Sequence, residues 1–170
     1  GNRGSIPRRA TKASDLFKRS RDEIQEEDWK WLVDDGEAWV AYYKKDYDTA
    51  KKGFSAVVKK KPKAYLSFRG LSYVAAAQEK WDDAGKNLYK SLTLAPYQGV
   101  GIYTFITKEL VENEKFKNAK EILEFGQKIY PYSGDIQFLL ARAYLGLKDK
   151  DKATKKAIIA ASLAPAYIDP

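Results

Sequence analysis

The sequence predicts an all-α fold built as an array of antiparallel helix pairs, and three observations predict it. Four alanines, Ala50, Ala84, Ala119 and Ala153, recur at spacings of 34, 35 and 34 residues. Each is followed twelve residues later by a proline: Pro62, Pro96, Pro131 and Pro165. An aromatic stands three residues before the first three alanines (Tyr47, Trp81 and Phe116), with Lys150 in the fourth block. Self-similarity at a fixed period in this range marks a helical repeat array. A lone helical hairpin cannot bury both of its faces, and stacked neighbours make a continuous core once about three units are present. Four blocks meet that requirement.

Taken in order, the blocks cover 31–63, 64–98, 99–132 and 133–165. In the first, Ala41-Tyr42-Tyr43-Lys44-Lys45-Asp46-Tyr47 reads as a turn with one residue deleted, which leaves its first helix open by one residue in register. The second places Phe68, Leu71 and small Ser72 in a first helix, then Trp81, Ala84, Leu88 and Ser91 in a second, closed by Pro96. Tyr103, Ile106, Thr107, Leu110, Phe116, Ala119, Leu123, Gly126 and Pro131 repeat this in the third. The fourth has Leu140, Ala141, Tyr144, Ala153, Ala157, Ala160 and Pro165. Small residues such as Ser72, Ala84, Ala141 and Ala153 let two helices approach, while large neighbours three and four away fill the gap. Each proline stops one helix or opens the next.

This pattern resembles the tetratricopeptide repeat family over residues 31–165. The resemblance implies a right-handed superhelical solenoid whose first helices line a concave side. In that register Trp39 and Tyr43 come from the first block and Arg69 and Tyr73 from the second. Thr104, Phe105 and Lys108 come from the third, with Asp135, Phe138 and Arg142 from the fourth. The implied groove carries aromatics and a ladder of cations, Arg69, Lys108 and Arg142, suited to a peptide or helix with acidic and bulky apolar side chains. One branch of the family grips the C-terminal carboxylate of chaperone peptides with Lys, Asn and Arg. The matching places here do not reproduce that set, with Asp35 and Tyr73 among the substitutes.

Charge divides the chain. Residues 1–21 carry seven Lys/Arg against Asp15, a net of +6, and residues 22–35 carry seven acids against Lys30, a net of −6. The first stretch, with Gly1, Gly4 and Pro7, reads as a basic N-terminal arm, with a helix opening near Ser14-Asp15 and Ser14 as its cap. Residues 22–30 read as an acidic helix segment leading into the repeats, and 166–170 as a tail or the start of a further unit. Lys44-Lys45, Lys51-Lys52 and Lys59-Lys60-Lys61 lie on or beside one second helix. With a net charge of +8 and a pI near 9.4, they open a polyanion or peripheral-membrane reading. Because the aromatics sit mainly at repeat-core positions, base stacking is disfavoured and nucleic acid ranks last among partners.

Composition narrows the chemistry. The 170 residues, 44% hydrophobic, suit a single core. No run approaches the roughly 20 apolar residues of a membrane span. The absence of methionine, even at position 1, points to a processed chain or a fragment and leaves the compartment open. With no His and no Cys, the commonest general base, the thiol nucleophile and most zinc sites are excluded. Asp82-Asp83 suits the positive end of a helix better than acid–base work. Gly99-Val100-Gly101, with no strand before it, reads as an inter-repeat turn. The expectation is therefore a protein-interaction scaffold without an enzymatic site, cofactor or metal. Its last helix, with Ala157, Ile158, Ile159, Ala160 and Leu163, offers self-association as an alternative.

Overall fold

A computed structural model describes residues 8–23 and 27–163, and across them the apolar periodicity resolves into helices with no strand. They are α1 (Arg8–Glu23), α2 (Glu27–Tyr43), α3 (Tyr47–Lys60), α4 (Tyr65–Ala77), α5 (Trp81–Leu94), α6 (Val100–Glu112), α7 (Phe116–Ile129), α8 (Gly134–Gly146) and α9 (Lys150–Leu163). From α2 onward they alternate as first helices (α2, α4, α6, α8) and second helices (α3, α5, α7, α9), which form two layers. Pro62, Pro96 and Pro131 fall in the connections between pairs. Residues 1–7 and 164–170, including Pro165 and the 166–170 tail, lie outside the described residues.

Within each pair the link is a three-residue turn whose middle residue is left-handed: Lys45, Glu79, Glu114 and Lys148, with φ of 62, 58, 59 and 63°. In the second block Glu79 N–H donates to Ala76 C=O at 2.9 Å and Lys80 N–H to Ala75 C=O at 2.8 Å. This double closure is the Schellman arrangement, and it satisfies carbonyls the helix leaves open. None of the four residues is glycine, so each carries left-handed strain of roughly 1 kcal/mol.

The turn after α2 is not shortened. Lys45 N–H donates to Tyr42 C=O and Asp46 N–H to Ala41 C=O, both at 2.9 Å, as in the other blocks. No residue is missing, so Ala38, Ser72, Thr107 and Ala141 are equivalent, and all four are buried. The bulky Tyr42-Tyr43 pair, standing where the second block has Ala76-Ala77, hid this alignment in the sequence.

The N-terminal expectations need correction. Helix α1 begins at Arg8, so Ser14 lies inside it instead of capping it. Tertiary packing holds this helix against α2: Phe17 presses on Gly36, where a Cβ would collide with its ring. Phe54 of α3 presses on Gly70 of α4 in the same way, and the Ala13–Phe17 spacing repeats Ala50–Phe54. Helix α1 thus takes the place of a second helix ahead of the first pair. Arg21 donates to Asp34 at 2.6 Å and to Glu37 at 2.7 Å, joining the basic stretch to the acidic helix that follows. Of the expected segment 22–30, Asp22 and Glu23 belong to α1 and Glu27 opens α2, while residues 24–26 lie outside the described residues.

The interior forms two clusters that meet on α4. One gathers Ala38, Ala41, Ala50, Phe54 and Val74, with Trp39, Tyr42, Tyr47 and Leu71 against it. The larger runs from Ala75 through Leu88, Tyr103, Leu110, Leu123 and Leu140 to Ala153. Buried hydroxyls tie helices together: Ser72 donates to Ala84 C=O and Ser91 to Tyr65 C=O, both at 2.8 Å. A buried hydroxyl is tolerated only when bonded in this way.

Candidate partner-binding groove

All the side chains expected in the groove stand on first helices: Trp39 and Tyr43 on α2, Arg69 and Tyr73 on α4, Phe105 and Lys108 on α6, Arg142 on α8. With the register of α2 settled, Trp39, Tyr73, Lys108 and Arg142 occupy one repeat position at spacings of 34, 35 and 34. They therefore share one face of the array.

At the α2–α4 end that face is filled by its own side chains. Trp39 packs edge-on against Phe54 at 5.0 Å and against Tyr73 at 5.8 Å between ring centroids. The Arg69 guanidinium lies over the Trp39 ring at 5.8 Å and donates through Nη1 to Gln98 Oε1 at 3.2 Å. The cation–π contact and the hydrogen bond to the Gln98 side-chain amide hold it in place, so of the expected ladder of cations Arg69 is already engaged within the chain. Tyr43, in contrast, is 63% exposed. Beneath the cluster lies Asp35, buried, accepting a hydrogen bond from the Ser67 hydroxyl. Burial pushes the Asp35 carboxyl above the usual range, opposed by hydrogen bonds from Ser67 and Trp39 and by the charge of Arg69.

At the α6–α8 end the same face opens into a cleft of about 520 Å³. Helix α6 contributes Thr104, Phe105, Lys108 and Glu109; α8 contributes Asp135, Phe138, Leu139 and Arg142. Phe105 is 59% and Phe138 55% exposed, and Phe105 continues the aromatic row to Tyr73 at 5.5 Å. Positions 101, 104 and 108 on α6 and 135, 138 and 142 on α8 follow a three-then-four spacing, so each set shares a helix face. Read along the helices, Asp135 lies at one end, the phenylalanines in the middle, and Lys108 and Arg142 at the other.

Of the expected residues, the cleft brings together Phe105, Lys108 and Arg142, with Thr104, Asp135 and Phe138 beside them. Tyr73 joins through Phe105, whereas Trp39 is drawn into the core. Glu109 and Leu139 were missed, although each lies four residues beyond a residue assigned to the groove, Phe105 or Asp135. The charge of the layers was also missed. First helices carry four basic residues against eight acids. Second helices carry thirteen lysines against six acids. The net positive charge of the repeats therefore sits on the layer away from the groove residues.

No protein-family profile matches the sequence, and no curated protein sequence matches it. Solved structures do. A crystal structure of MamA superposes with a TM-score of 0.68 at 13% identity, covering 97% of this chain and 97% of that one. YrrB, described as a TPR protein with an unusual peptide-binding site, gives 0.67 at 14% identity, covering 91% of this chain and 77% of its own. MamA from residue 41 to the end, from Desulfovibrio magneticus RS-1, gives 0.56 at 15% identity over 95% of this chain and 78% of that one. Identities this low speak to architecture alone. The chain has the tetratricopeptide repeat fold, an all-α solenoid of helix pairs.

Proposed function

We propose that this chain is a non-catalytic scaffold that captures a peptide or helix of a partner protein in the groove formed by its first helices. The bound segment presents a bulky apolar side chain between Phe105 and Phe138, with an acidic neighbour toward Lys108 and Arg142. The observation that carries this reading is the open cleft itself: two large exposed rings on adjacent helices, in a space sized for one or two side chains. Glu109 and Asp135 balance the two cations, so charge sets the direction of the bound segment while apolar burial supplies most of the affinity. YrrB has a peptide-binding site on the same fold, which lends the reading support.

A second reading, self-association through α9, draws on Ile158, 65% exposed, and Ile159, 38% exposed. Helices α1 and α9 both carry more cations than acids, so a head-to-tail stack would set like charges together. This favours the groove. The test is selection of binders from a random peptide library, followed by titration against the parent and a Phe105→Ala/Phe138→Ala variant. Selected peptides should share a bulky apolar anchor with an adjacent acid and lose about tenfold or more in affinity on the variant. Peptides that bind both proteins equally would place the interaction elsewhere.

A further inference from the structure

The edge where one pair hands over to the next carries a second ordered surface. Lys63, Tyr97 and Tyr132 each stand one residue after a connecting proline, at spacings of 34 and 35, and Trp29 in the first turn of α2 lies ten residues before Trp39, as Lys63 lies ten before Tyr73. The three turn residues precede α4, α6 and α8 and Trp29 lies at the start of α2, so all four stand where first helices begin, at one edge of the solenoid. The three aromatics are 54, 81 and 84% exposed, and nothing in the groove uses them. Leu32, one turn on from Trp29 and 39% exposed, adds an aliphatic group on that face of α2. Beside the row, Lys59 and Lys128 end their second helices at equivalent positions, 69 residues apart. Lys59, Lys63 and Lys128 make no ion pair among the described residues.

We infer that this edge docks on an anionic lipid bilayer surface. Tyrosine and tryptophan place an apolar ring below the headgroups and a polar tip among them. Lys59, Lys63 and Lys128 meet the negative charge of the leaflet and as compact hydrated charges need no bidentate geometry, while Trp29, in the stretch of net −6, contributes through its ring alone. Every cation of the second-helix layer is lysine, whereas specific phosphate recognition on nucleic acid draws on the planar fork of arginine. Leu32 has no face on which a base could stack, yet it gains from entering the acyl boundary. No described helix is long and apolar enough to cross a membrane, so contact is confined to the surface. This surface is separate from the groove and stands whether or not the groove takes a peptide.

The test is co-sedimentation of the chain with vesicles of phosphatidylcholine alone or with about 30 mol% phosphatidylserine. Binding should be at least about tenfold stronger on the anionic vesicles and should weaken with salt. Trp29→Ser/Tyr97→Ser/Tyr132→Ser and Lys59→Gln/Lys63→Gln/Lys128→Gln variants, checked for unchanged helicity, should each lose most of it. Brominated lipid should quench the fluorescence of the parent more than that of Trp29→Phe, a readout that does not depend on the triple variants. Equal binding to both vesicle types, or undiminished binding by the aromatic variant, overturns the proposal. So does tight binding of a single-stranded thymidine oligonucleotide without vesicle binding, which would assign the edge to nucleic acid.

Discussion

Around α2 and α4 the first-helix face is closed: Trp39 is wedged among Phe54, Tyr42 and Tyr73, and Arg69 lies across it. Between α6 and α8 the same repeat positions hold Lys108 and Arg142, and the space beside them is open. The difference begins one layer away. Phe17 and Phe54 each press on a glycine of the next first helix, Gly36 and Gly70. The equivalents of Phe54 in the next two blocks are Leu88 and Leu123, and there the glycine position carries Phe105 and Leu139 instead. A large ring in the second layer demands an empty position in front of it; a smaller side chain lets that position carry a large one, exposed in Phe105 and buried in Leu139. A repeat register thus fixes where a side chain stands, and its neighbour's size decides whether a side chain can stand there at all.

Four measurements would sharpen or break this contrast. The largest effect belongs to the closed end, where Phe54→Ala should lower stability by about 3–5 kcal/mol in urea unfolding, because both Trp39 and Gly70 lose the ring they close on. A loss below about 1 kcal/mol would show that the cluster is not held by that ring. Next come the turns, whose backbone is alike at both ends. Lys45→Gly and Lys148→Gly should each gain about 1 kcal/mol by relieving the left-handed residue, and unequal gains would mean the two halves differ in backbone as well as side chains.

A smaller effect concerns pH. Burial raises the Asp35 carboxyl, so between the ordinary value near 4 and its raised folded value the native state holds a proton the unfolded chain releases. That contribution to stability is full below about pH 4 and is lost as pH rises through the folded value. Asp35→Asn removes the decline, so the variant should gain on the parent as pH increases from about 4, read as the difference between thermal or urea unfolding series. A difference that does not change with pH would contradict the raised carboxyl. Smallest of all, Phe105→Ala and Phe138→Ala should each move stability by no more than about 0.5 kcal/mol, since both rings face solvent. A larger loss would mean that the open end is core after all.

Much of this was legible in the sequence. Small buried positions such as Ser72, Ala84 and Ala119 and the prolines between pairs followed from the period alone. The placing of Phe105, Lys108 and Arg142 on one face came from the resemblance to the tetratricopeptide repeat. A helix was expected from Ser14-Asp15, but its start at Arg8 and its place ahead of the first pair were not legible, because Ala13 lies 37 residues before Ala50 and falls outside the period. Its packing on α2 is made by Phe17 meeting Gly36, a long-range contact that local pattern does not carry. The engagement of Arg69 was hidden for a related reason: a cation reads the same whether it is solvated or lies over a ring. Exposed Tyr97 and Tyr132 were hidden by their type, since aromatics in a repeat are first assigned to the core.

The meeting of the two interior clusters on α4 has a consequence for how order is lost. Val74 belongs to one cluster and Ala75 to the other, so this single helix is the seam between them. A linear array behaves as a chain of coupled units, and a front between ordered and disordered segments settles where coupling is carried by the fewest elements. Amides of α2 and α3 should exchange as one foldon and those of α6 to α8 as another, with α4 reporting on both.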